Sequence, residues 1–291
     1  MKTIKHITIV VLQILILSFG STLFQSCDKV EAPYKIGGDT PTPDPDPGTS
    51  KRKTILFEFT GHQCVNCPAA AEIAKEQKEA YNDKLVVVAV HYGFFARPAG
   101  GAFSRDYRTE IGNTWGDDLN ISSLPKGVIN WKPSGDKLIT ESGEWGNIIS
   151  SFLVSPEESV VNIGLNVVYD EQNKKATINT TSKFNSGATG EYNLTVLVVE
   201  DKITSAQKDG AEIVEDYVHN HVLRQGLTDA YGDRINSGNA IQVNTDYSKE
   251  YTLDIKPEWV PENLSIIAFV SKASAFLNDR EVVQVIETHL K

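Results

Sequence analysis

The amino-acid sequence predicts an α/β unit followed by an all-β sandwich. Three observations point there. Residues 54–90 read strand, helix, strand; after Pro156 the chain turns to short segments of near period-two alternation; and a Pro/Asp-rich stretch separates both from an apolar N-terminus. The chain has 291 residues, enough for two domains, and 40% of them are hydrophobic, enough to bury a core in each. The net charge of −10 argues against a nucleic-acid partner, because phosphates call for a basic patch and the sole basic run is Lys51-Arg52-Lys53. The acidity by itself implies solubility.

Residues 1–26 read as a signal peptide. Lys2, Lys5 and His6 form a short basic start, and Ile7 to Phe24 is almost wholly apolar. The run ends Leu23-Phe24-Gln25-Ser26-Cys27. A small residue directly before a cysteine resembles the bacterial lipobox, which implies lipidation of Cys27 and cleavage before it. The other reading is an uncleaved membrane helix, since the run approaches spanning length. Residues 27–52 then form a tether whose alternating prolines and acids favour an extended spacer over a packed core.

The α/β unit is assigned to residues 53–155. Thr54-Ile55-Leu56-Phe57-Glu58-Phe59 is an apolar, aromatic run with one acid, read as a buried strand. After a turn at Thr60 to Gln63 comes Cys64-Val65-Asn66-Cys67-Pro68, and then an alanine-rich helix to Tyr81. Pro68 suits the first helical turn, where amides lack partners in any case. Leu85 to Val90 is a second buried strand, so the pair implies a crossover in a parallel sheet. A helix N-terminus favours a thiolate, which makes Cys64 the expected nucleophile and Cys67 the resolving thiol. Glu58 is placed to move protons to and from Cys67.

This segment is similar to the thioredoxin superfamily, with Glu58 at the position of that family's buried acid. The resemblance implies a cis-proline opposite the cysteines. Ser123-Leu124-Pro125-Lys126 fits it, with Pro125 as the cis residue and Leu124 presenting backbone to an extended substrate. Two departures leave the redox potential unread: Gln63 stands where the family has tryptophan, and Val65-Asn66 separates the cysteines. Two other readings of the pair are half of a zinc site, with His62 and His91 as further ligands, and a structural disulfide.

Phe103 to Leu119 is read as helical, with Phe94, Phe95 and Trp115 either rimming the cysteine site or packing ordinarily. Lys137-Leu138-Ile139 is read as a return strand, and Trp145, Ile148, Ile149 and Phe152 mark a closing helix. Residues 156–291 carry six strand-like segments, near 160–169, 175–184, 191–199, 247–255, 264–270 and 282–287, which predict an antiparallel, immunoglobulin-like sandwich. His219 and His221 lie in a long connection, as metal ligands or as loop anchors.

Taken with Pro125-Lys126-Gly127-Val128-Ile129-Asn130 and His219-Asn220-His221-Val222-Leu223-Arg224, the chain resembles the family of lipoproteins related to the 28-kilodalton outer membrane protein of Gram-negative bacteria. The resemblance implies lipid anchoring at the outer membrane through Cys27. It leaves two functions open: thiol–disulfide exchange on envelope proteins, or binding of a partner at the surface with the cysteines as a staple. No cofactor and no metal site are expected.

Overall fold

The computed structural model describes residues 51–185 and 187–291, and these fall in one compact unit. The signal peptide, Cys27 and nearly all of the tether lie outside the described residues. The fold begins at Lys51, which bridges to Glu158, and at Arg52, which is buried.

The chain is a mixed α/β protein, rich in sheet and poor in helix. Its elements are β1 (Thr54–Thr60), α1 (Cys67–Tyr81), β2 (Leu85–His91), α2 (Glu110–Asp118), β3 (Lys126–Ile129) and α3 (Ser142–Leu153), followed by β4 (Val161–Asp170), β5 (Lys175–Phe184) and β6 (Tyr192–Glu200). Then come the short strands β7 (Ile203–Thr204), β8 (Gln207–Asp209), β9 (Glu212–Val214), β10 (Val218–His219), β11 (Val222–Gly226) and β12 (Asp233–Arg234), and finally β13 (Asp246–Asp254), β14 (Leu264–Lys272) and β15 (Val282–His289).

The strand–helix–strand prediction of the first half holds closely, whereas of Phe103–Leu119, read as helical, only Glu110–Asp118 forms a helix. β1 and β2 are wholly buried and pair in parallel, as an apolar strand on each side of a helix dictates. α2 begins at Thr109, whose hydroxyl accepts from Gly112 N at 3.1 Å and satisfies one orphan amide of the first turn. Thr109→Ala is expected to cost about 1 kcal/mol, read as a lower urea midpoint at unchanged slope.

The sheet departs from the expected layout. Its order is β15-β14-β6-β11-β2-β1-β3, with β12 beside β6, so one eight-stranded sheet runs through both halves of the chain. The neighbour of β2 is β11, joined through Val222 opposite Ala89 and through Ala89 N to His221 O at 2.8 Å. Lys137–Ile139 forms no strand, only bridges from Ser134 to Lys137 and from Gly127 to Thr140. The C-terminal strands accordingly do not form a sheet system separate from the first half, although β4, β5 and β13 pack face to face on β6 and β14. β6, β11, β14 and β15 extend the first-half sheet, and only β4, β5 and β13 form a separate three-stranded layer.

The cores explain this arrangement. One face of the large sheet carries a single cluster that includes Phe57, Val88, Trp115, Leu197, Leu223, Phe269 and Val285, drawn from both halves. Phe57 sits edge-on to Trp115, Trp131 and Phe269 at 5.2, 5.9 and 5.7 Å, so aromatic packing spans the middle of the sheet. Alternate residues serve two further clusters. One packs Leu56, Val87 and Ile129 under α1 and α3, and the other packs β6 and β14 against β4, β5 and β13. Glu281 clasps both ends of the chain. Burial opposes its ionisation, yet Lys272, Lys132 and Arg52 hold its carboxyl down at about 2.

Candidate functional site

β1 delivers the chain to the cysteine turn. Cys64 and Cys67 are disulfide-bonded, with Cα atoms 5.4 Å apart. The turn is built by Cys64 N donating to Gly61 O at 2.9 Å and Cys67 N to Cys64 O at 3.3 Å. Gly61 is required there by close approach, since a Cβ would sit 2.7 Å from the carbonyl of Phe95. Gln63 N donates to that same carbonyl, and Gln63 Nε2 and His62 Nε2 both reach Arg97 O. α1 starts at Cys67, so Cys64 lies one turn ahead of the helix rather than within its first turn.

The β1–β3 register brings the other predicted residues to the same end of the sheet. Glu58 pairs with Gly127 and Phe59 with Lys126, which puts Pro125 across from the point where β1 leaves for the cysteines. The Leu124–Pro125 bond is cis. Leu124 is half-buried and its side chain packs on the main core. Glu58 is buried, its Oε1 has no hydrogen-bond partner, and desolvation pushes its carboxyl up to about 8. Of the three aromatics considered for the rim, Phe94 and Phe95 are exposed, whereas Trp115 is buried with Nε1 donating to Ala230 O.

Sequence reasoning missed the residues that reach this site from far along the chain. The β8–β9 hairpin lies over the cysteine turn. Gln207 Nε2 donates to Cys64 O at 3.0 Å and to Gly61 O at 3.4 Å, Lys208 N to His62 O at 2.9 Å, and Gly210 N to Val65 O at 3.0 Å. The hairpin turn begins at Gly210, where φ is +56°, and Asp209-Gly210 is the one local signal that announces it. Both cysteines are almost fully buried, at 4% and 2% exposure.

Beside the turn lies a cluster of uncharged rings. His91 stands 5.0 Å from Tyr107, 5.8 Å from His219 and 6.4 Å from His62, centroid to centroid. His62 stacks on Phe103 at 5.4 Å, and Tyr107 donates to Ser205 Oγ. Burial lowers the pKa of all three histidines, to about 4 for His219, and each also feels a neighbouring cation or imidazole. Neither ring nitrogen of His91 has a partner. Tyr217 meets His219 edge-on at 4.7 Å; burial first, then the charge of Glu58, pushes its hydroxyl up to about 12. His219 and His221 diverge, for His221 turns to Asp201 at 3.1 Å. Among the described residues no group of three or more His, Cys, Asp or Glu is arranged to hold a metal ion.

Fold and site together define a mixed α/β protein with a buried CxxC disulfide set at the end of a central strand. The family model for outer membrane protein Omp28 matches residues 112–291, and the chain belongs to that family. Membership places it at the outer membrane. The match begins inside α2 and leaves the cysteine pair outside it. HBP35 of Porphyromonas gingivalis is similar in structure, with a TM-score of 0.63 and 17% identity over 84% of this chain and 76% of that one. Protein AGR_C_4864 from Agrobacterium tumefaciens follows at a TM-score of 0.51 and 10% identity, covering 83% and 96%. A domain of the outer membrane lipoprotein Omp28 from Porphyromonas gingivalis is 23% identical over 46% of this chain and 89% of that one, at a TM-score of 0.31. At these identities the likenesses concern the fold alone. No curated protein matches the chain.

Proposed function

We propose that this outer-membrane protein performs thiol–disulfide exchange on envelope proteins, with Cys64 and Cys67 as the redox pair in a thioredoxin-like framework. The observation that carries the reading is Glu58, a buried carboxyl with a free oxygen on the strand that leads to the cysteines, raised by burial to about 8. Such a carboxyl is mostly protonated at pH 7, and its ionised fraction is the base available to a neighbouring thiol. In the reduced protein, the Cys64 thiolate attacks a substrate disulfide and one substrate sulfur leaves as thiolate. Cys67 then gives its proton to the Glu58 carboxylate and attacks Cys64 Sγ, which expels the second substrate thiol. The substrate gains two electrons and the pair ends as the disulfide. Leu124 and Pro125 would offer backbone to the substrate chain. Cys27 would carry the lipid.

Reduction of insulin by the dithiol form tests this. The wild type is expected to turn over and Cys64→Ser to be inactive. No turnover by the wild type, or equal turnover by the variant, overturns it. A metabolic lipid label lost in Cys27→Ser tests the anchor in the same way.

A second reading is favoured by the burial of both sulfurs: a surface protein that binds a partner, stapled by the disulfide. Unchanged partner binding in Cys64→Ser/Cys67→Ser, together with no insulin turnover, is its expected result.

A further inference from the structure

In the folded chain Val65 and Asn66 are exposed, yet the two sulfurs on either side of them are enclosed. We propose that the β8–β9 hairpin is a hinged cover over the disulfide, latched by Gln207, and that attack on Cys64 requires it to lift. This deepens the exchange reading by naming what regulates the same site. The cover itself is a matter of access and stands or falls separately.

The attachment is polar. Gln207, itself buried, spans Cys64 O and Gly61 O through one amide nitrogen, and the backbone of Lys208 and Gly210 adds one bond each to His62 and Val65. Water replaces such bonds at small net cost when a segment swings out. The hairpin itself is a separate two-stranded ribbon that shares no ladder with the large sheet. A ribbon of this size is marginally stable alone. Residues 209–213 are exposed, Ile213 at 51%, so lifting the tip gives up little apolar burial.

The hinge follows from the topology. β6 and β11 are antiparallel neighbours, and everything between them is an excursion that leaves the sheet at Glu200 and re-enters at Val222. The excursion can therefore move without breaking a strand of the sheet. Its root is firmer than its tip, since β7 pairs with β10 and His219 is packed among rings. Motion is thus confined to the portion that contacts the cysteine turn.

With the cover lifted, a phosphine attacks Cys64 Sγ, the S–S bond breaks and Cys67 leaves as thiolate. Water then delivers oxygen to phosphorus and protons to sulfur, so two thiols and one phosphine oxide result. Reduction of the full chain by tris(2-carboxyethyl)phosphine, with thiols trapped by maleimide and counted by mass, reads the opening. The native wild type is expected to react much more slowly than the same chain in urea, and Gln207→Ala about tenfold faster than the native wild type. Hydrogen exchange on the wild type supplies a measurement free of any variant: the amides of Lys208 and Gly210 are expected to exchange well before those of β1 and β2. The proposal is overturned if native and unfolded chains are reduced at the same rate, or if those amides exchange only together with the sheet. Insulin turnover separates the two readings. Turnover with an uncovered disulfide rejects the cover and keeps exchange, whereas a covered disulfide without turnover does the reverse.

Discussion

Glu58→Gln is expected to stabilise the folded protein by about 3 kcal/mol at pH 7, while leaving its stability at pH 4 unchanged. The carboxyl titrates at about 8 in the fold against an ordinary value of 4.5, because burial penalises the charge. Between those two pH values the unfolded chain releases the proton and the folded chain keeps it. Rising pH therefore favours the unfolded state, at about 1.4 kcal/mol per pH unit from 4.5 upward until the folded group also ionises. Glutamine is neutral in both states and removes the slope. Urea unfolding at pH 4 and pH 7 checks it: coincident curves at both values would mean that Glu58 is not buried unpartnered. Under the exchange reading the same substitution slows insulin reduction, because Cys67 loses its proton acceptor. A more stable yet slower variant is the signature of a residue kept for chemistry at the expense of stability.

Acidification acts through the histidines in the opposite direction. His219 titrates at about 4 and His91 well below 6.5, in both cases chiefly because burial disfavours the cation. Below pH 6.5 the unfolded chain takes up protons that the folded chain refuses, so stability falls with pH. His219 alone contributes a loss of about 3 kcal/mol by pH 4. The groups facing these rings do not offset it. Arg224 acts on His91, Arg105 on His219 and Arg108 on His62, the imidazoles oppose one another, and Asp106 favours the charged form at His62 alone. Two or three histidines outweigh the relief of Glu58, which puts the stability maximum near pH 6.5. His91→Phe is expected to raise stability by about 1–3 kcal/mol at pH 7, because both ring nitrogens lack partners. It should raise it further at pH 4. A thermal melt that shifts down equally at both pH values would refute this and would reveal a polar partner for His91.

The strand–helix–strand core was legible because its signals are local. Six apolar positions in Leu85–His91, the alanines after Pro68 and the spacing of Cys64 from Cys67 each act over one or two turns of chain. The same holds for β4, which alternates visibly, and for β5, β6, β13, β14 and β15, which are strand-like in composition. Ordinary sheet chemistry also explains the strand that was misplaced. Lys137–Ile139 has the composition of a short strand but makes only isolated bridges beside β3, while β11 takes the edge of β2, and Val222-Leu223 sits in a polar stretch too short to announce a strand.

From local residue patterns the sequence determined the elements and the disulfide-competent spacing of Cys64 and Cys67, while the pairing of Glu58 and Pro125 with them came with the resemblance to the thioredoxin superfamily. Tertiary structure alone decided that both halves share one sheet, that a hairpin some 140 residues downstream bonds to the cysteine turn, and that three histidines meet beside it. The physical reason is sequence separation. Periodicity encodes which face of an element is buried, but not which distant element buries it. Desolvation of Glu58 and His91, and enclosure of the disulfide, exist only once those distant partners have come together.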